Sequence, residues 1–238
     1  MTKALLSLTA FMSLGLVSPP ALFHRDHSLV GLEETFALKS QTRVVKNRIL
    51  TSTEMPAVQI KFDKAFKYAG SQNFVLYEVA HAEQHFFVDA DRQGRIKRFY
   101  WVQFEGYLPS NTHTYRYQVT KSVNIGGFDF IADAYPRNIK ANPGRPDSDS
   151  SRARAFLGSK GYQMASDEVL SQRLVHMVDE TKRNELMIIY VEDLSGMGLT
   201  AADLNAGGRA AARWSEISKG LLERATKGMK ISRQSHGE

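Results

Sequence analysis

The segment His81-Ala82-Glu83-Gln84-His85 combines two imidazoles and a carboxylate within five residues. Side chains alternate between the two faces of a β-strand, so His81, Glu83 and His85 would point the same way if this segment is a strand. These groups can bind zinc or iron(II), although the spacing differs from the helical H-E-x-x-H arrangement. The pattern therefore allows a divalent metal site. A solvated strand face and the lining of a polar pocket are the alternatives.

Two carboxylates, Glu192 and Asp193, end the most apolar predicted strand of the chain. Carboxylates at a strand end can act as an acid/base pair or bind a ligand, although they more often cap a turn or pair with arginine. Arg173 and His176 are expected on the facing strand of the same hairpin. We therefore take Arg173 and Glu192 as candidate ligand-binding residues.

Aromatic side chains are concentrated between residues 62 and 135. Among them, Tyr100 and Trp101, with Phe99 and Phe104 beside them, are candidates for the lining of an apolar cavity. Antiparallel sheets that are closed by a helix often leave such a cavity. An ordinary hydrophobic core is the alternative interpretation.

Tyr115 is a further ligand-binding candidate, and together with Tyr117 it flanks Arg116. Aromatic and basic residues in this order also occur on platforms that stack single-stranded nucleic acid. Acidic residues nearby and the lack of a glycine-rich aromatic signature argue against that partner, so no nucleic acid is predicted.

The composition excludes several classes of site. The 238 residues include no cysteine, which rules out disulfides, thiolate metal sites and cysteine nucleophiles. There is neither a G-x-S-x-G elbow nor a Walker loop. The net charge of +6 comes from dispersed charges of mixed sign, which favours solubility over an anionic partner. No cofactor is predicted beyond the possible divalent metal.

Residues 1–17 have the pattern of a signal peptide, with Lys3 followed by an uncharged run from Ala4 to Val17. That run is shorter than the about 20 apolar residues that span a bilayer, so no transmembrane segment is predicted in the mature chain. The expected location is secreted or periplasmic, with the cytoplasm as the alternative. Residues 18–55 show no sustained period and are assigned to an irregular linker or arm.

Alternating apolar residues predict most of the sheet. Residues 84–104 form a hairpin around a polar turn at 89–95, and residues 114–123 and 128–134 continue a meander. A surface loop follows, and a short helix is expected at Ser151–Leu157. Residues 171–192 favour a second hairpin, with a helix at 171–179 as the alternative.

The final element is predicted to be an amphipathic helix, because apolar residues recur at helical spacing. These residues are Trp214, Ile217, Leu221, Leu222 and Ala225. The sequence thus predicts an α+β fold in which a curved antiparallel sheet of six to seven strands packs against a long C-terminal amphipathic helix. Residues 56–228 form one domain in this interpretation, and residues 229–238 form a basic flexible tail.

The favoured hypothesis is an exported module that binds a small apolar or amphipathic ligand in a cavity between sheet and helix. The alternatives are a metal-assisted enzyme that uses the three residues of the first motif and a protein-interaction domain that uses the basic face of the last helix. The sequence leaves open whether the protein is an enzyme, and it gives no oligomeric state.

Overall fold

The computed structural model describes residues 43–119 and 121–234. These residues form two sheets and three α-helices, which confirms the α+β class and the antiparallel pairing. The larger sheet has the spatial order β4 (Lys67–Leu76), β5 (Ala80–Ala90), β6 (Arg95–Tyr107), β11 (Asn184–Asp193), β10 (Glu168–Met177), β8 (Phe128–Asn138) and β7 (Ser122–Ile125). A two-residue strand, β9 (Gln163–Met164), joins β6 in parallel.

The smaller sheet has four strands, in the order β1 (Arg43–Lys46), β2 (Ile49–Ser52), β3 (Val58–Phe62) and β12 (Met229–Arg233). The helices are α1 (Asp149–Ser159), α2 (Ala201–Leu204) and α3 (Trp214–Lys227). Two short 3-10 turns lie at Ser195–Met197 and Ala211–Arg213. No helix among these residues is long and apolar enough to cross a membrane.

Both predicted hairpins are present. β5 pairs with β6, and β10 pairs with β11 along nearly its whole length. Residues 171–177 are therefore strand, not helix. The partner strand β11 lies in the middle of the sheet and is covered on each side, so it carries apolar side chains on both faces. This pattern explains why the segment forms a hairpin rather than a helix.

Three segments differ from the sequence prediction. Residues 43–52, assigned to an irregular arm, form β1 and β2, and residues 229–233, assigned to a flexible tail, form β12. These strands are short, and β12 pairs with β3, which is far away in the chain, so no local pattern could reveal the pairing. Residues 114–119 are extended but belong to no strand. The predicted signal peptide at 1–17 lies outside the described residues and stays a prediction.

The main core lies between the two sheets. Phe62 of the smaller sheet stacks on Phe87 of the larger one, with 3.9 Å between ring centroids. Leu50, Ile60 and Tyr100 are fully buried beside them. The smaller sheet therefore buries one face of the larger sheet and forms part of the main core.

Helix α3 completes this cover. It has 14 residues, which is shorter than the long helix that the sequence suggests. Its apolar face buries Ile217, Leu221 and Ala225, as the helical spacing predicts. The hydroxyl of Tyr100 donates a hydrogen bond of 2.6 Å to the carbonyl of Ala225, which fixes the helix against β6.

Helix α1 lies on the opposite face of the larger sheet. The Ser148 hydroxyl caps its first turn by accepting a hydrogen bond from the amide of Ser151. Its C-terminal end is held at the β5–β6 turn, where Gly94 has φ +79° and a Cβ would lie 2.1 Å from the Gly161 carbonyl oxygen. Glycine is required there, because any side chain would push α1 away from the sheet.

Replacing Leu221 by Ala is expected to lower the free energy of unfolding by about 2–5 kcal/mol, because the side chain is fully buried between α3 and the sheet. Leu222→Ala is the matched control on the same helix, and it should cost less because Leu222 is only partly buried. Urea unfolding followed by circular dichroism measures both. Equal losses would contradict the assigned orientation of α3.

Candidate functional site: a cavity beneath helix α1

A cavity of about 480 Å³ lies between α1 and the larger sheet. Its floor is apolar and comes from alternate residues of the two central strands, which point to the α1 side of the sheet. The helix covers the cavity with Ala153 and Leu157. The floor residues are Ile96, Phe99 and Trp101 of β6 and Met187, Ile189 and Val191 of β11.

The neighbouring strands β8 and β10 add polar groups to the lining. Arg173 lies beside the cavity and donates two hydrogen bonds to Asp133, of 3.0 and 2.7 Å. The guanidinium also lies over the ring of Tyr117, 5.4 Å from its centroid. Tyr135 and Ser171, which face each other across β8 and β10, also line the cavity. The site is therefore apolar at its base, and its polar groups come from β8 and β10 and also from α1, which contributes Asp149, Ser150 and Arg154.

A pair of carboxylates continues the same face of the sheet beyond the cavity. Glu105 of β6 and Glu185 of β11 are directly opposite each other in the strand register. Each accepts a hydrogen bond from a tyrosine: Tyr115 bonds to Glu105 at 2.8 Å, and Tyr117 bonds to Glu185 at 2.7 Å. The extended segment 114–119 is thus held on the sheet by two tyrosine–carboxylate contacts.

Burial raises the pKa of both carboxyl groups. The pKa of Glu105 rises to about 7, and the charge of Asp149 adds to the effect. The pKa of Glu185 rises to about 8, because burial and the adjacent Glu105 both disfavour its ionised form. The two groups interact and therefore titrate as a pair.

A chain of side-chain amides connects this pair to the sheet edge. Gln72 donates to Gln84, and Gln84 donates to Gln103, at 2.7 Å in each case. Gln103 in turn donates to Glu105 and accepts a hydrogen bond of 3.0 Å from the indole of Trp101. These bonds orient Trp101 at the cavity floor and satisfy polar groups that would otherwise be buried without a partner.

Of the five predicted ligand-binding residues, Trp101 and Arg173 line the cavity. Tyr100 does not, because adjacent residues of a strand point to opposite faces and Tyr100 lies in the core between the sheets. Tyr115 binds Glu105 outside the cavity. Glu192 lies on the Tyr100 face, where Arg224 of α3 donates a hydrogen bond of 3.0 Å to it.

The residues of the proposed metal motif are engaged with other protein groups. Glu83 accepts a hydrogen bond of 2.8 Å from Arg43, and His85 lies between Glu83 at 2.8 Å and the hydroxyl of Tyr68 at 3.2 Å. Glu83 and His85 are buried, and His81 is partly buried, so this strand face is not solvated. The sequence could not show this, because the cover comes from β1, which was assigned to an irregular arm.

Within residues 43–119 and 121–234, no three His, Asp or Glu side chains are arranged to hold a metal ion. The arrangement of Glu83 between Arg43 and His85 is instead a buried charge pair that ties β1 to the larger sheet. These contacts stabilise the interface between the two sheets.

Tyr135, Ser171 and the Glu105–Glu185 pair were not predicted from the sequence. A signal was present: Phe99, Trp101, Gln103 and Glu105 alternate with apolar residues, so the change from aromatic to polar along one face is visible in the sequence. What the sequence could not show is that Glu185 lies opposite Glu105, because that depends on the pairing of strands about 80 residues apart.

No protein-family model, no curated protein and no solved structure matches this chain. The assignment of the site therefore depends on its own geometry.

The raised pKa values predict a fall in stability with rising pH. The raised pKa values mean that the folded chain retains a proton on Glu105 up to about pH 7 and on Glu185 up to about pH 8, whereas the unfolded chain loses both near the ordinary value of 4.5. The free energy of unfolding should therefore decrease as the pH rises through this window. Glu185→Gln should flatten the decrease and stabilise the protein at pH 8 by at least about 1 kcal/mol, the equivalent of roughly one pKa unit.

Glu180→Gln is the control, because Glu180 is exposed and lies in the turn that precedes β11. Urea unfolding at several pH values compares the three proteins. If Glu185→Gln and Glu180→Gln showed the same pH profile as the parent, the coupled carboxylate pair would be ruled out.

Proposed function

We propose that this protein binds a small apolar or amphipathic ligand in the cavity beneath α1. The observation that carries the proposal is the cavity itself, which has a volume of about 480 Å³, an apolar floor and polar groups around it. Ligand-binding pockets have volumes of roughly 300–1,000 Å³ and combine an apolar lining with a few placed polar groups.

The contrast between the two faces of the sheet supports this proposal. The face beneath the smaller sheet and α3 is filled by side chains such as Phe62, Phe87 and Tyr100. On the other face, α1 buries only Ala153 and Leu157. The small side chain of Ala153 leaves the aromatic floor at Trp101 within reach of a ligand.

The position of the cavity refines the expectation from sequence. A ligand was expected between the sheet and the C-terminal helix, but α3 lies on the opposite face of the larger sheet from the cavity. The helix that would cover the ligand is α1. The sequence predicts a short helix in this segment but gives no indication that it takes part in binding.

Ala153→Phe is expected to reduce binding of the neutral fluorophore N-phenylnaphthylamine by about tenfold or more, a loss of about 1.4 kcal/mol. The added ring would occupy space above Trp101, since Ala153 lies on the buried face of α1 and lines the cavity. Fluorescence titration of the full-length protein measures the affinity.

The matched control is Ala155→Phe, the same change on the exposed side of the same helix, which should leave the affinity unchanged. Circular dichroism checks that both variants fold, and Ala153→Leu provides a smaller addition if the ring is not accommodated. Binding of equal strength by the parent, both Ala153 variants and the control would refute the location, and no binding by the parent would refute the function for this ligand class.

A further inference from the structure

The hydroxyl groups of Ser171 and Tyr135 lie in the cavity lining. Ser171 is only 5% exposed, and it lies directly opposite Tyr135 in the pairing of β10 with β8. Both residues line the cavity. Neither hydroxyl forms a hydrogen bond with another group in the described part of the chain. Such groups can bind the polar end of a ligand.

These hydroxyls remain protonated and can donate. Burial raises the pKa of Tyr135 above its ordinary value, so its proton is retained. A serine hydroxyl donates one hydrogen bond and accepts others. Neither oxygen is among the fully buried polar atoms that lack a partner in the described residues, so both hydroxyls are open to the cavity. A ligand oxygen placed between Tyr135 and Ser171 could therefore form hydrogen bonds with both.

The arginines of the lining are already engaged. Arg173 is neutralised by Asp133 through two hydrogen bonds. The guanidinium of Arg137 donates to the carbonyl of Asn142 at 3.1 Å, and that of Arg154 donates to the carbonyl of Pro143 at 2.6 Å. Arg137 and Arg154 keep their positive charge, because a carbonyl group does not neutralise a guanidinium.

Acidic groups balance the remaining positive charge. Asp149 and Asp167 line the cavity together with Arg137 and Arg154, which gives two charges of each sign. The Glu105–Glu185 pair lies farther along the same face and adds negative charge when it is ionised. A carboxylate that entered the cavity would lose its hydration without gaining a net positive field, and this is unfavourable.

We infer that the ligand is a neutral amphiphile with an alcohol or ester head group. Its oxygen would form hydrogen bonds with Tyr135 and Ser171, and its hydrocarbon part would lie on the floor around Trp101. This inference rests on the proposed ligand-binding function and specifies its chemical class.

Decanol, methyl decanoate and decanoate are matched probes for this inference. The chain has two tryptophans, so a Trp214→Phe background leaves Trp101 in the cavity floor as the only indole reporter. Titrations at pH 8, where decanoate is ionised, follow Trp101 fluorescence. We expect decanol and methyl decanoate to bind about tenfold or more tightly than decanoate.

A double variant tests the role of the hydroxyls. Tyr135→Phe with Ser171→Ala should weaken the binding of decanol and methyl decanoate by about tenfold, and it should therefore reduce their preference over decanoate. A second variant, Ser171→Ala alone, should give a smaller loss of the same kind and keeps the test valid if the double variant does not fold.

The possible results separate this inference from the proposed function. Tighter binding of decanoate than of decanol, or an unchanged preference in both hydroxyl variants, would overturn the neutral head group and leave the cavity as a binding site. If the parent binds none of the three chain probes and no N-phenylnaphthylamine, the proposed function itself fails.

Discussion

The pairing of β6 with β11 is the constraint on which the rest of this structure depends. Its register sets Trp101 beside Ile189 at the floor of the cavity and sets Glu105 opposite Glu185 farther along. Since side chains alternate along both strands, the same register directs the remaining residues of each strand into the core between the sheets. A shift of one residue would exchange the cavity floor for the core, so both faces are specified together.

The two faces of this strand pair are covered to different extents, and this difference creates the site. One face receives a complete sheet and a 14-residue helix, so its large side chains are packed against other side chains. The other face receives the 11-residue helix α1, which buries only two of its residues. A short helix over a wide sheet leaves a volume of about 480 Å³ beneath it, with an aromatic floor.

Polar groups are buried on both faces, with different consequences. Between the sheets, Glu83 forms hydrogen bonds with both Arg43 and His85, and the contact with Arg43 connects β1 to the larger sheet. On the cavity side, the carboxylate pair and its tyrosines form hydrogen bonds with one another, whereas the hydroxyls of Tyr135 and Ser171 form none within the described part of the chain and are open to the cavity. A satisfied network contributes to a unique structure. The two open hydroxyls are the groups on which the proposed position of the ligand head group depends.

The sequence by itself determined the local elements: both hairpins, the short helix after the polar loop and the apolar face of α3, because each follows from the spacing of side chains within a few residues. It also identified Trp101 and Arg173, which line the cavity. Only the tertiary structure decided which helix covers which face, that β12 joins β3, and that Glu105 meets Glu185. Those contacts join residues that are distant in the chain, and no local pattern encodes a partner so far away.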